Sequence, residues 1–148
     1  MKFSKIRDVK SPNRGTNKSA GIDFYIPNDS NGGKPFSIAP WKGLNIPSGI
    51  KCEVPEGYML CAFNKSGVAT KKELLVGACV VDEDYMGEIH IHVINQTPYP
   101  VELIPGEKLV QFILVPVFYD TLEEVAEESL FTRVSERGEG GFGSTGIN

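Results

Sequence analysis

The sequence predicts a single all-β domain of barrel or sandwich type. Three observations carry that prediction: a length of 148 residues, an abundance of Gly (16) and Pro (10), and short apolar runs that keep alternating with turn residues. Such a length supports one compact core and leaves no room for a second. With 41% hydrophobic and 23% charged residues, the composition is that of a globular protein rich in turns, not of a helical bundle or a disordered chain.

Taken in order, the first ten residues alternate charged and apolar side chains without the apolar block of a signal peptide, and no window approaches the length of a bilayer span. Residues 20–26 are β-rich and stop at Pro27, after which 28–33 reads as a loop. Short strands follow at 36–38, 44–46, 50–54 and 58–63, separated by Ala39-Pro40, Pro47-Ser48-Gly49 and Pro55-Glu56-Gly57. Residues 76–81 and 88–94 flank an acidic stretch closed by Gly87, which reads as a β-hairpin with a long loop. Two further strands, 101–104 and 108–117, are joined by Pro105, Gly106 and Glu107. Residues 121–130 are the one helical candidate, with Leu122, Val125, Ala126 and Leu130 on one face and four glutamates forming a solvated face.

A formal charge of -4 and a pI near 5.2 argue against a dedicated nucleic-acid surface, which needs Lys and Arg to neutralise phosphates. A small anionic ligand remains compatible. Cys52, Cys61 and Cys79 are odd in number, lack Cys-x-x-Cys spacing and sit in apolar stretches. They read as reduced core thiols of a cytoplasmic protein, or of another reduced intracellular compartment such as a virus-infected host cell.

The tail differs in kind. Residues 137–146 hold five glycines in ten positions, with Arg137, Phe142, Ser144 and Thr145 among them. By composition this is a flexible tail, yet its parts also describe a phosphate clamp. Glycines let backbone N–H groups close on an anion, Arg adds a bidentate donor, the hydroxyls add more, and Phe142 is able to stack on a base.

This tail, together with Ala20, Gly21, Ile22 and Asp23 and the stretch from Val81 through Asp82, Glu83, Asp84 and Tyr85 to Gly87 and Glu88, resembles the trimeric dUTPase family over about residues 20–146. Looser matches to that family's second and fourth motifs run from Asn64 to Ala69 and from Pro105 to Gln111. The resemblance implies a distorted, jelly-roll-like β-barrel over 1–130 and a swapped, flexible glycine-rich arm over 131–148 that closes on the active site of a neighbouring subunit. It further implies hydrolysis of dUTP to dUMP and pyrophosphate with Mg2+, by a homotrimer with shared sites and no nucleic-acid or membrane partner.

Cleaving a triphosphate at the α-phosphorus needs a positioned water, a carboxylate to take its proton, and donors around the phosphate oxygens. The resemblance makes Asp82 the water-activating base; by itself an aspartate there is a common turn cap. It places Asp23 near magnesium through water, which suits a carboxylate that is otherwise costly in an apolar strand. Lys65, Ser66, Gly67 and Gln111 become phosphate contacts, where a polar loop and a core hydrogen bond are the plainer readings. Tyr85 packs on the deoxyribose, or simply covers the core edge. Arg137, Phe142, Gly143, Ser144 and Thr145 close over the nucleotide.

Four departures from the family pattern stand out. Lys65 and Lys108 replace arginines and supply point charges with looser geometry. Met86 replaces another arginine, and Cys79, three residues before Asp82, stands where relatives often carry glycine, with a side chain that either faces away from the ligand or alters the shape of the base pocket. His90 and His92 lack a third metal ligand and read as surface or interface residues. The related dCTP deaminases carry a catalytic glutamate near His92, which this chain lacks, so deamination is the weaker enzyme reading. Two further readings are a pyrimidine-nucleotide pyrophosphatase of altered specificity and a non-catalytic nucleotide-sensing trimer.

Overall fold

Along His90–Asn95, exposed or half-buried positions alternate with Ile91, Val93 and Asn95, none more than 1% exposed. This period of two is that of a strand with one face on a core. The computed structural model describes residues 1–141. Phe142, Gly143, Ser144 and Thr145, expected in the tail clamp, lie outside the described residues.

Two compact units divide the chain, Met1–Phe118 and the segment from Tyr119 onward. The first holds β1 (Lys2–Lys5), β2 (Asn13–Arg14), β3 (Ile22–Tyr25), β4 (Phe36–Ile38), β5 (Gly43–Pro47) and β6 (Ile50–Glu53). After them come β7 (Tyr58–Asn64), α1 (Ser66–Lys71), β8 (Leu74–Val76), β9 (Val80–Val81), β10 (His90–Asn95), β11 (Val101–Leu103) and β12 (Lys108–Pro116). Every pairing is antiparallel, in a five-stranded sheet β2-β3-β12-β7-β9, a three-stranded sheet β5-β10-β8 and the pairs β1-β6 and β11-β4. The architecture is all-β and jelly-roll-like, as the sequence predicts, although no pairing among the described residues closes it into a complete barrel. Its core packs Phe24 against Phe112, with ring centroids 4.5 Å apart, among Ile26, Leu60, Leu103 and Leu109.

Several expectations are corrected. The strand read at 76–81 is two strands in two sheets: Val76 pairs with Val93 of β10, while Val80 and Val81 pair with Cys61 and Leu60 of β7. The simple hairpin with 88–94 is therefore absent, because the chain crosses between sheets at 77–79. The polar turn expected at Lys65, Ser66 and Gly67 is the start of α1, with Lys65 as its extended cap residue. β1 and β2 add to the expected strands; their exposed residues bury no face and so give no apolar alternation.

Among the described residues of the second unit, helix is confined to α2 (Glu127–Leu130), and 119–126 is irregular. Leu122 is 97% exposed, so the apolar stripe read over 121–130 buries no face there, and short helices owe their stability to such burial. The β body ends at Phe118, and the stretch 119–130 goes with the second unit instead of the barrel.

Candidate active site

β3 is buried along its whole length, so its carboxylate needs partners, and Asp23 finds two. Lys65 Nζ bonds one oxygen and Lys108 Nζ lies 2.8 Å from the other. A β-bulge makes this possible. Gln111 faces Asp23 and Lys108 faces Tyr25, so two steps of β3 oppose three steps of β12. In a regular strand, residues three apart such as Lys108 and Gln111 would point to opposite faces; the bulge brings both to one face. Burial pushes the Asp23 carboxyl up, but the hydrogen bonds and charges of Lys108 and Lys65 outweigh it and hold its pKa below the ordinary 3.8. The same contact raises Lys108.

Gln111 lies over Gly21: a side chain at Gly21 would meet its Oε1 at 2.0 Å. Its amide donates to Asn64 O at 2.9 Å, and Asn64 Oδ1 in turn accepts from Val76 N–H at 2.7 Å. This fixes the end of β7 from which Lys65 and α1 depart. Ser66 and Gly67 stand exposed at the first residues of α1.

A second set surrounds a cavity of about 240 Å³ lined by Asn45, the backbone run from Ala78 to Asp82, Tyr85, Glu88 and His92. The crossing between sheets creates it. Cys79 lines it, and its carbonyl is anchored by Ala62 N–H at 2.7 Å. Asp82 is exposed, and no described residue hydrogen-bonds its carboxylate. Tyr85 donates its hydroxyl to Glu88 O at 2.9 Å, while Glu88 Oε1 accepts Gly49 N–H at 2.6 Å and Glu83 Oε2 accepts Gly57 N–H at 2.6 Å. Those two carboxylates tie the acidic loop to two turns of the body.

The structure thus gathers Cys79, Asp82 and Tyr85 at one cavity and Asp23, Lys65, Lys108 and Gln111 in another cluster; none of the second group lines the cavity. Arg137 belongs to the second unit, where its Nε donates to Gly140 O at 2.7 Å. Glu88 and His92 are functional candidates that residue types did not reveal. His92, read as a surface or interface residue, faces the cavity, and only the strand register places it there. His90 lines the same cavity and is exposed, with Nδ1 3.0 Å from Glu88 O. Among the described residues, no group of three His, Cys, Asp or Glu side chains is arranged for a metal ion. Asp23 is occupied by two ammonium groups, so the donor set does not fit a resident magnesium. No described helix is long and apolar enough to cross a membrane.

Fold and cavity together define a jelly-roll-like β protein with a small-molecule pocket where two sheets diverge. The chain belongs to the dUTPase family, whose model matches residues 7–146. The deoxyuridine 5'-triphosphate nucleotidohydrolase of Mus musculus is 35% identical over 149 residues, covering 100% of this chain and 86% of that protein. That of Wolbachia from Brugia malayi is 33% identical, covering 98% and 90%. The mitochondrial human enzyme of the same name is 33% identical, and the chain spans 55% of its length. Among solved structures, Staphylococcus bacteriophage 80alpha dUTPase with dUPNHPP superposes with a TM-score of 0.84 at 23% identity, covering 99% of this chain and 98% of that one. A mutant dUTPase of phage phi11 of S. aureus, solved to show coordination of a structural Mg(II) ion, gives 0.74 at 20% identity, covering 85% and 96%.

Proposed function

We propose that this chain is a dUTP diphosphatase that hydrolyses dUTP to dUMP and pyrophosphate. The observation that carries the reading is Asp82: an exposed carboxylate, unpartnered among the described residues, on the rim of the cavity in a chain of this family. Asp82 takes a proton from water as the water oxygen bonds to the α-phosphorus. The bond to the bridging oxygen breaks and its electron pair leaves with pyrophosphate. Backbone groups of 78–81 read the uracil edge, and Tyr85 packs on the deoxyribose so that a 2′-hydroxyl is rejected.

The active form is a homotrimer. One chain separates its phosphate-holding residues, Lys65, Ser66, Gly67 and Gln111, from its base cavity, and a shared site reunites them across subunits. Arg137, Phe142, Gly143, Ser144 and Thr145 then close the site from a third subunit and exclude bulk water. Asp23, held by two lysines, would face a magnesium ion brought in with the substrate only through water, and such an ion would offset charge on the triphosphate. A reduced compartment such as the cytoplasm suits the three free cysteines.

The test is pyrophosphate release with magnesium from dUTP, dTTP, dCTP and UTP, with ammonia followed in parallel. Release from dUTP alone supports the reading. Turnover of dTTP points to a pocket reshaped by Cys79, ammonia from dCTP to a deaminase, and binding without turnover to a sensing trimer.

A further inference from the structure

His92 is bound to the strand crossing at two points. Its carbonyl accepts Gly77 N–H at 3.0 Å, which extends the β8–β10 ladder one residue past Val76. The next amide, Ala78 N–H, bonds instead to the imidazole, 2.9 Å from Nδ1. The side chain thus takes over where the backbone ladder ends, and from there 79–81 swings to β7. The ring also leaves no space around itself. A side chain at Gly77 would meet Nδ1 at 2.0 Å, and one at Gly43 would meet Nε2 at 2.9 Å. Two glycines, Gly43 in β5 and Gly77 just past β8, flank one imidazole.

We propose that His92 is a positioning residue of the base pocket: as a fixed acceptor for Ala78 N–H, it sets where the 78–79 backbone stands for reading the pyrimidine. This rests on the reading of the cavity as the uracil site. A backbone amide only donates, so Nδ1 must carry its lone pair, and the neutral ring then holds its proton on Nε2. The ring does not touch the reacting phosphate in this scheme. It acts through Ala78 and Cys79, both of which line the cavity with it. Loss of the acceptor frees an amide at the point where the chain changes sheets, and the 78–81 run loses its fixed distance from Tyr85 and Asp82. The effect falls on nucleotide affinity and leaves the chemical step alone.

Two variants separate this role from simple packing. Asn places Oδ1 where Nδ1 stood and keeps the acceptor, while Phe keeps the ring and removes it. His92→Phe should raise the KM for dUTP and the Kd for dUMP about five- to tenfold, the scale of one lost hydrogen bond, with kcat within about twofold. His92→Asn should restore both constants to within about threefold of the parent. In the nucleotide-free parent chain, nitrogen NMR should show the Nε2–H tautomer and a scalar coupling across the Ala78 N–H to Nδ1 bond. A proton on Nδ1, equal damage from Asn and Phe, or kcat falling in step with the rise in KM would each overturn the proposal. A parent chain that neither binds dUMP nor turns over dUTP would instead sink the functional reading, and the spectrum would then decide whether the tether exists.

Discussion

The ring of Tyr85 lies on Gly87: a side chain at 87 would meet the phenol oxygen at 2.3 Å and Cζ at 2.4 Å. Tyr85 is 44% exposed, so its ring is able to swing outward at little cost to the fold. Gly87→Ala should therefore leave thermal stability within about 1 kcal/mol of the parent while displacing the tyrosine from the cavity. Steady-state kinetics on dUTP and UTP check this: KM for dUTP rises and discrimination against the ribonucleotide falls.

Among the described residues, no hydrogen bond reaches the Asp82 carboxylate that its replacement would break. Asp82→Asn should keep the melting temperature and dUTP affinity and lower kcat by roughly 100- to 10,000-fold, the range for a general base. Single-turnover measurement at saturating dUTP reads the chemical step directly, and near-normal turnover would remove Asp82 from its role.

Asp23 ties acid stability to the lysine pair. Its pKa is depressed, so its contribution is complete above the ordinary 3.8 and is lost as pH falls through the lower folded value. The raised Lys108 behaves oppositely, contributing fully below 10.5 and losing its share as pH rises through its higher value. Asp23→Asn should cost about 2–3 kcal/mol near neutrality, with the Lys108 contact discounted for its exposure. Melting curves from pH 2 to 7, at about one-unit steps, should show a flatter acid limb for the variant, since that limb reports carboxylates shifted by folding.

The two-unit division predicts the outcome of truncation. Ending the chain before Arg137 removes nothing from the sheets of Met1–Phe118, so the melting temperature should hold. Turnover of dUTP should fall by about 100-fold or more, because the closing segment is gone. A truncated chain of undiminished activity would place Arg137 outside the mechanism.

Thiol labelling distinguishes the three cysteines. Burial pushes the Cys52 thiol up to about 11, which leaves about one part in a thousand as thiolate at pH 8. Burial, with the neighbouring Cys79, also raises Cys61. Iodoacetamide should modify both slowly. Because Cys79 lines the cavity, dUMP should slow labelling there and leave the rate at Cys52 unchanged.

Much of this architecture is legible in the sequence, and the limits have physical causes. Short apolar runs bounded by turn residues locate β3 to β7 and β10 to β12 within a few residues, since each strand packs on one core. It does not reveal which strands pair, which is why 76–81 reads as one strand although its two ends belong to different sheets. Residue types also single out Asp23 as a buried charge in need of partners. That its partners are Lys65 and Lys108 depends on a bulge that no local pattern announces. The helix read over 121–130 fails for the opposite reason: a stripe of apolar residues predicts a helix only where something covers it.

The bulge in β12 makes the length of this strand as informative as its content. Leu109 and Val110 are both buried, adjacent positions that a regular strand would send to opposite faces. Because Leu109 is the extra residue, deleting it would leave Lys108 and Gln111 two apart, the spacing of Tyr25 and Asp23, and the ladder would become regular with both side chains still on one face. Among natural or engineered variants, a single-residue gap at 109 should thus act chiefly through the loss of a buried leucine, and a strand graft into this fold is able to carry either two or three steps between the lysine and the glutamine, provided that three come with the bulge.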